Sequence, residues 1–298
     1  MTTGEDTRPR GRPAPPAPAA AFRELRALWF QLTGTLCNLA CRHCFNASGP
    51  KQPWLPPLDA ALVRRYLGEA EQLGVREFYF TGGEPFLHPQ LLDLLTDALA
   101  VAPTTVLTNG SLIDDAVADR LAAAAAGSPY SLEIRVSVDG VTAEENDAIR
   151  GHGTFDRAVG AIRHLSARRL YPIVTATDAA GSGREPGLYG RLRRRLLDLG
   201  VDRPRIKIIP LFALGRLAGR EPGRRLTPAL LEGYDTGRLQ CTETRVVADG
   251  GLYACPILAG LRGARVGTGR LADAVGPASL YHAACVTCYE TGMSCGNF

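Results

Sequence analysis

The chain has 298 residues, of which 45% are hydrophobic and 21% are charged, and its formal net charge is +4. These values are typical of a soluble globular protein with one large domain and a small additional module. No apolar run approaches the ~20 residues of a membrane span, and the first residues lack the apolar segment of a secretory signal. We therefore expect a cytoplasmic protein with no membrane partner. We also expect no nucleic-acid partner, because the basic residues follow helical patterns.

Hydrophobic periodicity predicts the elements in chain order. Residues 1–24 are rich in Pro, Arg and Ala, which is typical of a disordered tail. Strands and helices then alternate, and Asp59 and Gly74 are predicted to cap the first helix. The predicted strands cover 27–33, 75–83, 104–110, 131–140, 171–177 and 205–211, and the predicted helices cover 58–74, 89–100, 114–127, 154–169 and 187–200. This α/β alternation predicts a parallel sheet with right-handed crossovers, either open and doubly wound or curved into a barrel.

The pattern changes near residue 239. Residues 244–256 form two short β segments around Asp-Gly-Gly, which indicates a hairpin. A short helical segment near 277–284 then leads to the last cysteines. We therefore predict a domain over residues 25–238 and a separate cysteine-bearing module over residues 239–298.

The eight cysteines fall into two groups, and clustered cysteines in a reducing compartment indicate metal ligands. Cys37, Cys41 and Cys44 are spaced C-x3-C-x2-C directly after the first predicted strand. Three thiolates on a [4Fe–4S] cluster would leave one iron open to a substrate or cofactor. The alternative is a zinc site with His43 as the fourth ligand.

This three-cysteine motif resembles that of the radical S-adenosylmethionine (SAM) superfamily, and other segments resemble the family at the ends of successive strands. These segments are TGGEP (81–85), TNG (108–110), SVDG (137–140), AIRGHGTFDRAV (148–159) and IIPLFALGR (208–216). The resemblance implies a partial (β/α)6 TIM-type barrel with its site at the carboxyl ends of the strands. It also implies that SAM is bound at His43, Gly82, Gly83, Glu84, Asn109, Ser137, Asp139, Arg150 and Arg216. His43 departs from the family pattern, which has an aromatic residue there.

The segment CTETRVVADGGLYAC (241–255) resembles the opening of the SPASM and twitch modules, which hold auxiliary [4Fe–4S] clusters. The resemblance implies two [4Fe–4S] clusters in total, with SAM as the further cofactor. One auxiliary cluster takes four thiolates, so one of the five C-terminal cysteines is left over. We assign Cys255 as this free thiol, and Cys241, Cys285, Cys288 and Cys295 as ligands. Cys241 and Cys295 remain alternatives for the free thiol, which is otherwise a buried bystander.

The compact layout resembles enzymes of aminoglycoside and aminocyclitol antibiotic biosynthesis, and the whole chain resembles the neomycin C epimerase type. The resemblance implies a flavodoxin or ferredoxin as electron donor and reductive SAM cleavage to a 5′-deoxyadenosyl radical. That radical would remove hydrogen from a sugar carbon, and Cys255 would return hydrogen from the opposite face. We therefore predict an epimerase that converts neomycin C to neomycin B or acts on a similar small molecule.

Three alternatives remain. The first is a dehydrogenase of an aminocyclitol alcohol, and the second is a peptide-modifying maturase. The ~25 residues before the first strand are fewer than a leader-binding domain would need, which favours a small molecule over a peptide. The third alternative is a non-catalytic zinc or iron–sulfur protein. A polyamine substrate would need pocket carboxylates, for which the candidates are Glu133, Asp139, Asp178 and Asp235.

Overall fold

The structure is a computed structural model that describes residues 17–51, 53–178, 186–220, 224–293 and 295–296. Its strands are β1 (Ala19–Ala20), β2 (Ala27–Gln31), β3 (Glu77–Thr81), β4 (Thr104–Thr108), β5 (Leu132–Ser137), β6 (Ile173–Asp178), β7 (Arg205–Pro210), β8 (Thr244–Ala248), β9 (Gly251–Tyr253), β10 (Arg265–Gly267) and β11 (Ala278–Ser279). Its α-helices are α1 (Ala60–Gln72), α2 (Leu91–Leu99), α3 (Asp115–Ala126), α4 (Ala143–Arg150), α5 (Thr154–Ala167), α6 (Pro186–Asp198) and α7 (Ala283–Thr291).

The main sheet follows the order β10-β9-β8-β2-β3-β4-β5-β6-β7. Strands β2 to β7 are parallel and consecutive, and helices connect each strand to the next. Within the described residues this sheet ends at β7 and β10 without closing on itself, so it forms a partial barrel. The prediction of an α/β, partial (β/α)6 barrel is confirmed. Strands β2 to β7 end at the same rim, where loops bring together side chains from distant parts of the sequence.

Successive side chains of each strand point to opposite faces of the sheet. One face packs against the helices and forms the outer core, and the other faces the lumen of the barrel. Leu28 and Phe30 of β2 pack with Phe80 of β3 and with the surrounding helices. Trp29 points to the opposite face, where its ring stacks on Tyr79 with the centroids 4.1 Å apart. Strands covered on both faces need apolar residues in succession, which explains the continuous apolar runs of this sheet.

Local sequence signals explain most helix boundaries. Asp59 caps α1 by accepting a hydrogen bond from the backbone N–H of Ala61, and Gly74 follows the helix with φ +69°. Sequence analysis missed α4, although Thr142 and Glu145 form a Thr-x-x-Glu start signal. Thr142 accepts a hydrogen bond from the N–H of Glu145, as that signal predicts.

The two ends of the described chain are joined by a short strand pair. Residues 1–16 of the predicted disordered tail lie outside the described residues. The last part of that prediction was wrong, because Ala19–Ala20 forms β1 and pairs antiparallel with Ala278–Ser279. The short helical segment predicted at 277–284 is also corrected, since it contains β11 and only the start of α7.

The C-terminal residues continue the barrel sheet. Strand β8 pairs in parallel with β2, and β8 and β9 form the predicted hairpin around Asp249 and Gly250. One sheet therefore runs across the predicted boundary between residues 25–238 and 239–298, and that division stays a prediction. Among the described residues, no helix is long and apolar enough to cross a membrane.

Candidate active site

The three-cysteine motif forms a loop directly after β2. The N–H of Cys37 donates to the carbonyl of Gly49 over 3.1 Å, which closes the loop at its base. Two backbone N–H groups point at sulfur atoms, from Leu39 to Cys37 at 3.4 Å and from Ser48 to Cys44 at 3.3 Å. Such donors stabilise negative charge on sulfur, so the loop suits thiolate ligands of a metal cluster.

The thiols of this loop are free and partly desolvated. Burial raises the pKa of Cys37 to about 12, and it also raises the pKa of Cys41. A thiolate without a metal is therefore unfavourable here. A thiolate bound to iron is stable, because the positive charge of the metal compensates for its burial. Within the described residues, no three His, Cys, Asp or Glu side chains form a ready site for one metal ion. The fit to a multi-iron cluster rests on the three thiols and their N–H donors.

A cavity of about 190 Å³ at the rim of the barrel contains the three cysteines. Six of the nine residues predicted to bind SAM also line it: His43, Gly82, Gly83, Asn109, Ser137 and Arg150. The strand ends thus bring together residues that are more than 100 positions apart. This cavity is lined by the three cysteines and by hydrogen-bonding side chains, which suits a cofactor bound next to a cluster.

Glu84 does not line this cavity, and its contact with SAM stays a prediction. Its side chain is fully buried and accepts hydrogen bonds from Thr108 Oγ1 at 2.7 Å and from the N–H groups of Asn109 and Phe86. Burial raises the pKa of Glu84 to about 7 against these donors. Glu84 therefore joins the ends of β3 and β4, and it fixes Asn109 on the cavity wall.

Asp139 does not line the rim cavity either, and it lies behind residues that do. Its carboxylate lies 2.6 Å from His43 Nε2 and 2.6 Å from Arg150 Nε, and it accepts a hydrogen bond from the N–H of Thr177. Burial opposes ionisation, but the positive charge of Arg150 and the hydrogen bond from His43 keep the pKa of Asp139 below its usual value. Asp139 therefore orients two cavity residues. Because it occupies Nε2 of His43, the zinc interpretation loses that nitrogen as a ligand.

Arg216 binds the cysteine loop, and its contact with the carboxylate of SAM stays a prediction. Its guanidinium donates to the carbonyls of Cys41 at 3.0 Å and Ser48 at 2.5 Å, and its N–H donates to the carbonyl of Cys44. Arg150 and Arg135 both line the cavity, and they are the arginines there that could bind an anionic group. Arg216 holds the loop that carries the cysteines.

Gly83 is required by close packing against this loop. A Cβ atom at residue 83 would lie 2.1 Å from the carbonyl oxygen of Leu36 and 2.8 Å from Cβ of Cys37. We expect Gly83→Ala to displace Cys37 and to lower the iron content of the reconstituted protein, as measured by iron assay and by the visible absorbance of the cluster. Gly68→Ala is the matched control, because a Cβ atom at residue 68 meets nothing within 4 Å. Equal iron in both variants would contradict this assignment.

The C-terminal cysteines surround two different cavities. Cys241, Cys255, Cys285 and Cys288 line a small apolar cavity of about 30 Å³. Helix α7 brings Cys285 and Cys288 to adjacent positions one turn apart, and the β8–β9 hairpin brings Cys241 and Cys255 to the same cavity. Four free thiols therefore surround one apolar cavity, and four is the number of thiolates that a fully ligated [4Fe–4S] cluster takes.

Arg245 holds the backbone next to the C-terminal cysteines. It is 1% exposed and donates to the backbone carbonyls of Cys241, Thr244, Ala274 and Gly276. Burial lowers the pKa of Arg245 to about 10. Sequence analysis gave no role to this buried cation, which fixes the backbone at Cys241.

Cys295 lines a separate cavity of about 70 Å³ inside the barrel. Sequence analysis also missed the strand residues Trp29, Gln31, Arg135 and Lys207, which line the same cavity. The sequence does contain a signal for Arg135 and Lys207. A charged residue in the middle of a buried parallel strand must face a partner or a lumen. Cys255 and Cys295 are neighbours, because Gln240 Nε2 lies 3.9 Å from Cys255 Sγ and 3.4 Å from Cys295 Sγ. Of the two, only Cys255 lines the apolar cavity, and only Cys295 lines the cavity inside the barrel.

Comparison with known proteins supports the radical SAM interpretation of the cysteine loop. Residues 32–179 match the family model described as the Radical SAM superfamily. Mycofactocin maturase MftC of Mycobacterium tuberculosis (strain ATCC 25618 / H37Rv) is 40% identical over 132 residues, which are 44% of this chain and 32% of the relative. Pre-heme d1 synthase of Dinoroseobacter shibae is 33% identical over 160 residues, 53% of this chain and 37% of the relative. The chain thus spans about a third of the length of these curated relatives.

Two solved structures share the fold. Native anSMEcpe with bound AdoMet and the Cp18Cys peptide superposes with a TM-score of 0.60 at 18% identity, over 83% of this chain and 79% of that one. BtrN in complex with AdoMet and 2-DOIA gives a TM-score of 0.50 at 13% identity, over 90% and 87%. The family match, which contains the three-cysteine motif, identifies residues 32–179 as a radical SAM domain. The family implies SAM and a [4Fe–4S] cluster as its cofactors.

Proposed function

We propose that this chain is a radical SAM epimerase that inverts a carbon of a sugar ring and carries a second, auxiliary [4Fe–4S] cluster. One observation carries the proposal: four C-terminal thiols line one apolar cavity, and the fifth lines a cavity inside the barrel. A dehydrogenation needs no thiol beside the substrate, whereas inversion needs a hydrogen donor there. The separate thiol is therefore the feature that distinguishes the two reactions.

The cofactors and the chain have separate tasks. The cluster and SAM together supply a radical that removes one hydrogen atom from the substrate. Cys37, Cys41 and Cys44 would hold the cluster, and Arg150 would attract the carboxylate of SAM. Asp139 keeps Arg150 and His43 in place from behind. These contacts fix the cofactor so that the abstracted hydrogen comes from one face of the ring only.

The carboxylates available in the lumen limit how a polyamine substrate can bind. The polyamine interpretation needed pocket carboxylates, and three of its four candidates are engaged elsewhere. Glu133 pairs with Arg135 and Arg205, Asp139 pairs with Arg150 and His43, and Asp235 caps a short helical turn. The side chain of Asp178 lies outside the described residues. We therefore propose that an aminoglycoside of the neomycin C type enters with its reacting ring only, and that its other amino groups remain at the mouth of the barrel.

A reaction in D2O tests this proposal. Protein reconstituted under anaerobic conditions would be incubated with SAM, neomycin C and either reduced flavodoxin or dithionite. We expect an isomer of unchanged mass except for one deuterium, with one 5′-deoxyadenosine formed for each isomer, because a thiol proton exchanges with solvent before it is returned as hydrogen. Mass spectrometry and NMR would measure both products.

Two other outcomes would contradict the proposal. A product that lacks two hydrogens would indicate a dehydrogenase, the class proposed for the aminocyclitol alternative. The likeness to mycofactocin maturase favours a peptide substrate as the second candidate, although it covers less than half of this chain. Turnover of a precursor peptide, with none of neomycin C, would establish that alternative.

A further inference from the structure

The C-terminal residues Cys295 and Gly296 are held across the lumen by three side chains from separate elements. Gln240 Oε1 accepts a hydrogen bond from the N–H of Cys295 at 2.8 Å, and its Nε2 donates to Cys295 Sγ at 3.4 Å. The same Nε2 lies farther from Cys255 Sγ, at 3.9 Å. Arg135 Nη1 donates to the carbonyl of Cys295 at 2.5 Å, and Lys207 Nζ donates to that of Gly296 at 2.6 Å. We call these three side chains the tail clamp. A bystander cysteine in a core needs no such set of contacts.

The same cavity contains polar groups with no partner. Trp29 Nε1 and Gln31 Oε1 are buried atoms without a hydrogen bond, and these residues are 2% and 1% exposed. Thr175 Oγ1 is a third such atom. All three residues line the cavity that Cys295 lines. Buried polar atoms are almost always paired, so an unpaired donor and acceptor around one cavity indicate a polar ligand that completes them.

The chemistry of these atoms limits the ligand. The indole N–H of Trp29 needs an acceptor, and the carbonyl of Gln31 needs a donor. A hydroxyl group supplies both. The cavity also shares Thr81, Leu107, Arg135 and Thr175 with the larger cavity that contains the cysteine loop. A ring in the lumen would therefore have the cofactor site on one side and Cys295 on the other.

We propose that Cys295, not Cys255, returns hydrogen to the substrate, that Trp29 and Gln31 bind a hydroxyl of the reacting ring, and that the tail clamp positions the thiol. This inference rests on the proposed function. The S–H bond of Cys295 breaks homolytically as a C–H bond forms on the inverted face of the substrate carbon, which leaves a thiyl radical. One electron from a reduced flavodoxin or ferredoxin and one proton from solvent then restore the thiol. Cys255 belongs with Cys241, Cys285 and Cys288 as a cluster ligand.

Cys295→Ala and Cys255→Ala form a matched pair for the test. We expect Cys295→Ala to keep the iron content of the parent protein and to form 5′-deoxyadenosine with neomycin C, but to give no epimer. Cys255→Ala is expected to lose about four irons per chain, the content of one cluster. Iron analysis and low-temperature electron paramagnetic resonance need no substrate. Loss of about four irons from Cys295→Ala, or deuterated epimer from that variant, would overturn the assignment.

The ligand contact is tested by binding without turnover. Calorimetry of neomycin C with the reconstituted protein and SAM, without reductant, should show about fivefold to tenfold weaker binding for Trp29→Phe, the effect of one lost hydrogen bond. This variant keeps a ring to stack on Tyr79. Trp54→Phe is the control, because the N–H of Trp54 is satisfied by the carbonyl of Asn46. Equal affinities of the two variants would refute the contact with Trp29.

A variant of the clamp separates positioning from folding. Lys207→Met removes the bond to Gly296, and we expect the ratio of 5′-deoxyadenosine to epimer to rise about fivefold, because the thiol is less often in place. An unchanged ratio would contradict a positioning role. If the parent protein makes no epimer at all, the proposed function fails. The iron contents of Cys295→Ala and Cys255→Ala still decide which cysteine is the ligand.

Discussion

Cys37→Ala is expected to abolish SAM cleavage and to lower the iron content by about four atoms per chain. The reason is geometric, because Cys37 is the most buried cysteine of its loop and supplies one of only three thiols in the rim cavity. A cluster with two protein ligands would be lost on desalting. Iron assay and the yield of 5′-deoxyadenosine under dithionite would measure the effect.

Cys295→Ala provides the control for this experiment. It removes a thiol outside the rim cavity, so 5′-deoxyadenosine should still form. If Cys37→Ala retained both its iron and SAM cleavage, the cysteine loop would not be the cluster site. The radical mechanism would then be excluded for this chain.

Asp139→Asn is expected to lower the free energy of unfolding by about 3–5 kcal/mol, the usual cost of breaking one side of a buried ion pair. Asp139 is buried between Arg150 and His43, and its loss leaves the charge of Arg150 without its carboxylate. The midpoint of thermal unfolding should fall by about 6–20 °C for a chain of this size. SAM affinity should fall as well, since Arg150 and His43 line the rim cavity.

Asp115→Asn is the matched control. Asp115 also pairs with an arginine and a histidine, Arg168 and His164, but its side chain is exposed. Exposed ion pairs contribute little, so differential scanning calorimetry should detect almost no change. Similar unfolding midpoints for the two variants would contradict a structural role for Asp139.

The order of strands and helices was predictable because each depends on local periodicity. The caps at Asp59 and after α1, the hairpin at Asp249 and Gly250, and the six βα units all follow from residues near one another in sequence. Helix α4 was missed although its Thr142 and Glu145 signal was present. The strand at Ala19–Ala20 had no local signal, because its pairing depends on residues about 260 positions away.

The rim cavity was predicted in part. The cysteine loop, the glycines after β3, Asn109 and Arg150 lie where the motifs indicated. Glu84, Asp139 and Arg216 do not line the rim cavity, and each holds a residue that does. A motif indicates that a residue belongs to a site, but only packing determines whether its side chain faces the cofactor or another side chain.

The sequence by itself determined the family, the partial barrel and the three-cysteine loop, because spacing and periodicity are properties of neighbouring residues. The division of the five C-terminal cysteines depended on the tertiary structure. Cys255 and Cys295 are alike as sequence features, but a hairpin directs one to an apolar cavity, whereas Gln240, Arg135 and Lys207 hold the other in the lumen. Those contacts join residues 55 to 160 positions apart, and no local pattern encodes such pairings.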